Sequence, residues 1–305
     1  MAPKSSVFLL GPGFIGLEIL SELLKQGYSV TTLVRRDEAR TSLEQMGSKT
    51  VKGSLDDHDV IRYAAANNDI TIHTATADHK PSAIAILDGI AERAKSGKSS
   101  IYIHTSGCSA ITDKSEGKYV SDKIYEDDKP ETIDSIADDA PHRQIDLAIL
   151  GHRKQLGFAG FCGGGKAVWG QVHVSDLAKG YMTILHYMES SSGDEVLKNP
   201  YFFIENGDEH SWEKMAAEIG TALHNAGKLQ DPKPREIPSG MFGDLFQEWS
   251  VAVIGENARN RVNRLRALGW KPQGKSTFDS FVEDELPVLL AEKGEYQGYA
   301  APVAS

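Results

Sequence analysis

With 305 residues, 40% of them hydrophobic, the chain is long enough to bury a large α/β core as one domain or as a nucleotide-binding domain with a small cap. A formal net charge of −10 argues against a nucleic-acid surface, because phosphate binding depends on clustered Lys and Arg. Two cysteines, Cys108 and Cys162, are too few for a disulfide framework and lack metal-ligand spacing; with neither an apolar run of membrane-spanning length nor a secretory leader, a metal-free cytoplasmic protein with a small-molecule partner is expected, and no oligomeric state is implied.

The first predicted element is a buried strand, Val7-Phe8-Leu9-Leu10, running directly into Gly11-Pro12-Gly13-Phe14-Ile15-Gly16. Leu17, Ile19, Leu20, Leu23 and Leu24 then recur at helical spacing until Gly27, and Val30 to Val34 reads as a second strand. In a strand, turn, helix, strand unit, the glycines of G-x-G-x-x-G serve a tight turn, close approach of backbone N–H groups to a pyrophosphate, and close helix–strand packing. The binding positions are therefore Gly11, Gly13, Phe14, Ile15 and Gly16. Where NAD sites place a carboxylate at the end of the second strand, this chain has Arg35 and Arg36, two forked donors suited to a 2′-phosphate. NADP(H) is expected over NAD(H). A competing reading makes these arginines the start of a solvated helix paired with Asp37 and Glu38.

Further along come the segment Val51 to Asp57, a strand from Ile70 leading into Thr74-Ala75-Thr76, a helix from about Pro81 to Ala94, and a strand Ile101 to His104 leading into Ser106. Alternating strands and helices indicate a doubly wound parallel sheet, a Rossmann α/β fold. The dinucleotide-binding part is placed at residues 1–180 and a small C-terminal cap, interleaved with it, at 181–305.

These motifs together resemble the short-chain dehydrogenase/reductase superfamily, in its extended or atypical branch of epimerase/dehydratase-like and NmrA-like proteins. Gly53-Ser54-Leu55-Asp56-Asp57 is similar to that branch's adenine-contact motif, with Ser54 for the usual Asp. His73-Thr74-Ala75 resembles the small-residue turn beside the cofactor, and His104-Thr105-Ser106-Gly107 the strand end that carries the active-site serine. Val172 to Ala178 and Arg264 to Pro272 match two downstream motifs of the branch. The resemblance implies cofactor contacts at Ser54, Leu55, Thr74, Ala75 and Thr76, and a catalytic Ser with a Tyr-x-x-x-Lys pair.

Tyr119 and Lys123 have the required spacing, one helical turn apart, beyond Ser106. A phenol needs a nearby cation to act at neutral pH, which Lys123 would supply. The surrounding Glu116, Asp122, Glu126, Asp127 and Asp128 read instead as a solvated stretch. The register usual in the extended branch falls on Pro141-His142-Arg143-Gln144-Ile145-Asp146, which has neither Tyr nor Lys; His142, Arg143 and Tyr125 are the fallback donors.

The branch has another parallel strand after the catalytic helix. Either the run Ile145 to Leu150 serves as that strand or the strand is absent; the second reading is preferred, leaving the sheet one strand short. Gly160 to Ala167 nearly spells a phosphate-binding loop, but Ala167 replaces the Ser/Thr that would hold Mg²⁺, so it reads as a hairpin. His73, His104 and His173 read as structural histidines, and Glu126 to Asp139 as an acidic solvated surface. A short strand at Tyr201 to Ile204 precedes a helix begun by Ser211, and Met241, Phe242, Leu245, Phe246 and Trp249 are candidates for an apolar substrate wall or for ordinary packing. The leading expectation is an NADP(H)-dependent carbonyl reductase acting on a small organic molecule. A non-catalytic sensor of the NADP(H) state and a nicotinamide-dependent epimerase or dehydratase are the alternatives.

Overall fold

A computed structural model describes residues 4–113, 115, 119–156, 160–163, 168–234 and 256–291. It begins with β1 (Ser6–Leu10), α1 (Phe14–Lys25), β2 (Ser29–Val34), α2 (Asp37–Met46), β3 (Lys49–Lys52), α3 (His58–Ala66), β4 (Ile70–His73), α4 (Lys80–Lys95) and β5 (Ile101–Thr105). There follow β6 (Tyr125–Glu126), α5 (Pro130–Asp134), α6 (Arg143–Leu156), β7 (Gly160–Gly163), β8 (Val168–Gly170), α7 (Val174–Ser190), α8 (Gly193–Lys198) and β9 (Tyr201–Phe203). Among the described residues the main sheet has the order β3-β2-β1-β4-β5-β7-β9, with every pairing parallel. This is the Rossmann arrangement expected from the alternation of elements.

The local chemistry explains the order of elements. Val7, Phe8, Leu9 and Leu10 are fully buried because helices cover both faces of a parallel sheet, so β1 is continuously apolar rather than alternating. α1 buries Gly16, Ile19, Leu20 and Leu23 on one face, and it ends where Gly27 takes a φ of 84°, allowing Tyr28 N–H to reach the Leu23 carbonyl. α3 and α4 pack closely at Gly89, where a Cβ would come within 2.2 Å of the Arg62 carbonyl oxygen.

The strand expected to be absent is present. Ile145 to Leu150 is helical, within α6, and Gly160–Gly163 supplies the parallel strand between β5 and β9. The hairpin reading of this segment is corrected accordingly: β7 joins the main sheet, whereas β8 pairs antiparallel with Glu209–Ser211 in a separate ribbon. Two glycines bounding a short Phe-Cys core hid a central strand that tertiary pairing sustains.

The acidic stretch is only partly solvated. Asp127 is fully buried and accepts hydrogen bonds from the backbone N–H groups of Phe203, Asn263 and Arg264, while Asp134 receives the Tyr201 hydroxyl. The two downstream motifs meet where Trp270 Nε1 donates to the Asp176 carbonyl at 3.1 Å, and just past the second motif Gln273 N–H and Gly274 N–H donate to Asp176 Oδ2 at 2.7 Å and 2.6 Å. Ser211 caps the helix Trp212–Asn225 as expected, accepting from Lys214 N–H. Met241, Phe242, Leu245, Phe246 and Trp249 lie outside the described residues. Among the described residues no helix is long and apolar enough to cross a membrane.

Candidate functional site

Strand order reverses between β1 and β4, and in such sheets ligands bind beyond the carboxyl ends of the strands at the reversal. The loops after β1, β4 and β5 converge there. Gly11 has a φ of 94°, and a Cβ on it would lie 2.3 Å from Ala75 N, so the glycine turn rests directly on the β4 loop. Thr74 Oγ1 donates to the Gly11 carbonyl at 2.8 Å, and a Cβ on Gly16 would lie 1.9 Å from that same oxygen. Gly13 is different: a Cβ there would meet nothing within 4 Å. It precedes α1, whose first turn has no side-chain cap and begins with an exposed Phe14. Uncapped N–H groups facing open space at a helix N-terminus fit a dinucleotide pyrophosphate.

Arg35 and Arg36 are exposed beyond the end of β2, and among the described residues neither forms an ion pair. The carboxylates that a solvated helix would have offered them are engaged differently or left to solvent: Asp37 pairs with Lys52 at 2.9 Å, and Glu38 is exposed. The adjacent loop after β3 is shaped by Asp57, which accepts from both the N–H and the hydroxyl of Ser54, and Leu55 packs partly buried against the core. These bonds hold the Asp57 carboxyl below the usual range.

At the end of β5, Ser106 donates to Asp146 Oδ2 at 3.0 Å. Asp146 is 7% exposed, and its Oδ1 has no hydrogen-bond partner among the described residues. Burial, outweighing the bond from Ser106, pushes its carboxyl up to about 6. Ser106 and Asp146 line one cavity with Gly107, Ile133, Tyr201 and Phe203. A buried, unpaired carboxyl oxygen in an otherwise apolar pocket is a place to receive a polar ligand group.

Among the described residues no hydrogen bond joins Ser106 to Tyr119 or Lys123. Tyr119 to Lys123 is irregular rather than helical, so the pair does not share a helix face. The Tyr119 side chain is exposed, its carbonyl accepts from Asn257, and Lys123 Nζ sits 4.5 Å from the Tyr125 ring centre. The family register instead brings His142 to the site. Its Nδ1 lies 2.5 Å from Asp78 Oδ1 and its Nε2 2.9 Å from Ser109 Oγ. Asp78, Ser109 and Asp146 were missed because nothing in their local sequence marks them; the one available signal was that Pro141 to Asp146 occupies the register of the catalytic helix. His73 and His104 pair at 3.1 Å inside the sheet, where burial holds both well below the ordinary histidine range. They are neutral core histidines, while His173 caps α7.

Residues 11–132 match the sequence model of a family described as NAD(P)H-binding. Over 94% of its length, and 96% of the other protein, the chain is 27% identical to an oxidase, UcsJ, of Acremonium sp.. The fold is similar to that of UDP-glucose 4-epimerase from Thermotoga maritima, with a TM-score of 0.64 at 14% identity over 93% of this chain and 99% of that one. Alfalfa vestitone reductase gives a TM-score of 0.58 at 17% identity, covering 93% and 97%. Residues 11–132 thus resemble an NAD(P)H-binding domain, in a chain whose fold is that of UDP-glucose 4-epimerase and vestitone reductase.

Proposed function

We propose that the protein is an NADP(H)-dependent oxidoreductase that reduces a carbonyl, or oxidises the corresponding alcohol, on a small organic molecule. The observation that carries this reading is a shared edge: an open anion cradle at Gly13, two guanidinium groups at Arg35 and Arg36 without an ion pair among the described residues, and the Ser106/Asp146 cavity all border the carboxyl ends of β1, β2, β4 and β5. The nicotinamide supplies hydride exchange when bound. The chain's own part is to hold the dinucleotide through α1 and Thr74, to offer Ser106 and Asp146 to a polar substrate group, and to shield it with Ile133, Tyr201 and Phe203.

Two measurements test this. NADPH and a panel of carbonyl compounds are followed by absorbance, and calorimetry compares NADPH with NADH in the natural chain and in an Arg35→Ala/Arg36→Ala variant. Turnover with an NADPH preference of about tenfold or more is expected, and loss of two charge-assisted contacts in the variant should abolish that preference. Equal affinities in the natural chain would reject the NADP reading. Tight binding without turnover on any carbonyl would favour the sensor.

A further inference from the structure

We propose that His142, oriented by Asp78 and joined to Ser109, is the proton-transfer group of this site, taking over the work first expected of Tyr119 and Lys123. The inference rests on the oxidoreductase reading above.

Four observations converge on the imidazole. Both ring nitrogens are engaged, Nδ1 by Asp78 at 2.5 Å and Nε2 by Ser109 at 2.9 Å. Among the described residues His142 is the one non-glycine with positive φ, at 65°, a conformation that a β-carbon disfavours and that surrounding contacts must sustain. Gly107, beside Ser106, leaves room for the ring: a Cβ there would lie 2.3 Å from Nε2. Gly107 also lines the Ser106/Asp146 cavity, so the imidazole and the cavity share a wall.

The chemistry follows from these partners. Asp78 accepts the Nδ1 proton and orients the ring, leaving Nε2 to exchange a proton with Ser109; the histidine bond in turn holds the Asp78 carboxyl below its usual range. Asp78 is itself anchored by the cofactor-side loop, since Thr76 Oγ1 accepts from its N–H at 3.0 Å. In the reducing direction, Nε2 gives its proton to Ser109 Oγ while the Ser109 hydroxyl proton passes to the substrate oxygen. The second C=O bond breaks, its electrons form the new O–H bond, and the carbon receives the hydride and its electron pair from the reduced nicotinamide. The neutral ring then regains a proton from water.

The titratable and charged groups facing the ring are Asp78, Asp146 and His104, with Arg143 next in the chain. The test uses the full chain, NADPH and 9,10-phenanthrenequinone as the carbonyl probe, with His142→Asn chosen because Asn tolerates positive φ. His142→Asn is expected to lower turnover about a hundredfold or more, with NADPH affinity within about twofold of the natural chain. Asp78→Asn should lower turnover about tenfold or more and displace the pH profile, marking it as a positioning residue. In the protein alone, proton NMR should show a low-field imidazole N–H resonance that both substitutions remove. Turnover within about threefold of the natural chain in His142→Asn, or a resonance that survives Asp78→Asn, would overturn the inference while sparing the oxidoreductase reading. No turnover of the quinone by the natural chain, together with none across the carbonyl panel, would overturn both.

Discussion

Asp146 shows how burying a carboxyl sets its charge against stability. Its carboxyl is buried with a single hydrogen bond from Ser106, and burial raises it to about 6. A group whose folded-state pKa lies above its unfolded value favours folding below the unfolded pKa, and that benefit is lost as pH rises through the folded one. Asp146→Asn should therefore stabilise the chain by about 2 kcal/mol at pH 7.5, with the gain shrinking as pH falls below about 6 and vanishing near the ordinary carboxylate range. Urea unfolding at several pH values measures this, and a gain independent of pH would show that the carboxylate is not desolvated. Tyr119 carries the opposite lesson. Its spacing to Lys123 satisfies the family pattern, yet Asn257 and Arg259 take the backbone carbonyls of Tyr119 and Ser121, and the chain between them is not helical.

At the scale of elements, the β1 turn contains two glycines whose substitution should fail differently. Gly11 combines a φ of 94° with backbone contact to Ala75, so Gly11→Ala is expected to destabilise the fold by about 2 kcal/mol or more, visible in the unfolding midpoint. Gly13 has a φ of −83° and open space around it, so Gly13→Val should leave the unfolding midpoint nearly unchanged while abolishing dinucleotide binding. Calorimetry decides the second case, and normal affinity in Gly13→Val would mean that the cradle has been misplaced. Both glycines were legible from the strand, turn, helix pattern, because this loop's geometry is dictated locally. β7 was not: four residues with a glycine at each end become a strand only because β5 and β9 lie on either side.

Across the whole molecule, buried carboxylates join segments far apart in sequence. Asp127 accepts three backbone N–H bonds, one from Phe203 in β9 and two from Asn263 and Arg264 in the helix that follows β6's partner strand Asn260–Arg261. Asp127→Ala leaves those donors unsatisfied and should cost about 3–5 kcal/mol, while the exposed Glu131→Ala should stay within about 0.5 kcal/mol. Denaturant unfolding of the two variants side by side checks the contrast, and equal costs would mean that the ties are cosmetic. Asp176 does the same for Gln273 and Gly274, so the described stretch 256–291 is fastened to the main body by carboxylates as well as by apolar packing.

What the sequence by itself determined is whatever depends on near neighbours in the chain. The buried strands, the glycine turn after β1, the Arg35/Arg36 pair after β2, the turn at Ser54 and Leu55 and the Ser211 cap are local features, and short-range sterics and hydrogen bonding specify them. Only the tertiary structure decided that Ser106 meets Asp146, 40 residues on, and that Asp78 meets His142 across 64 residues. Those pairings depend on parallel strands carrying their following loops to one edge of the sheet. A spacing rule along the chain does not encode that convergence.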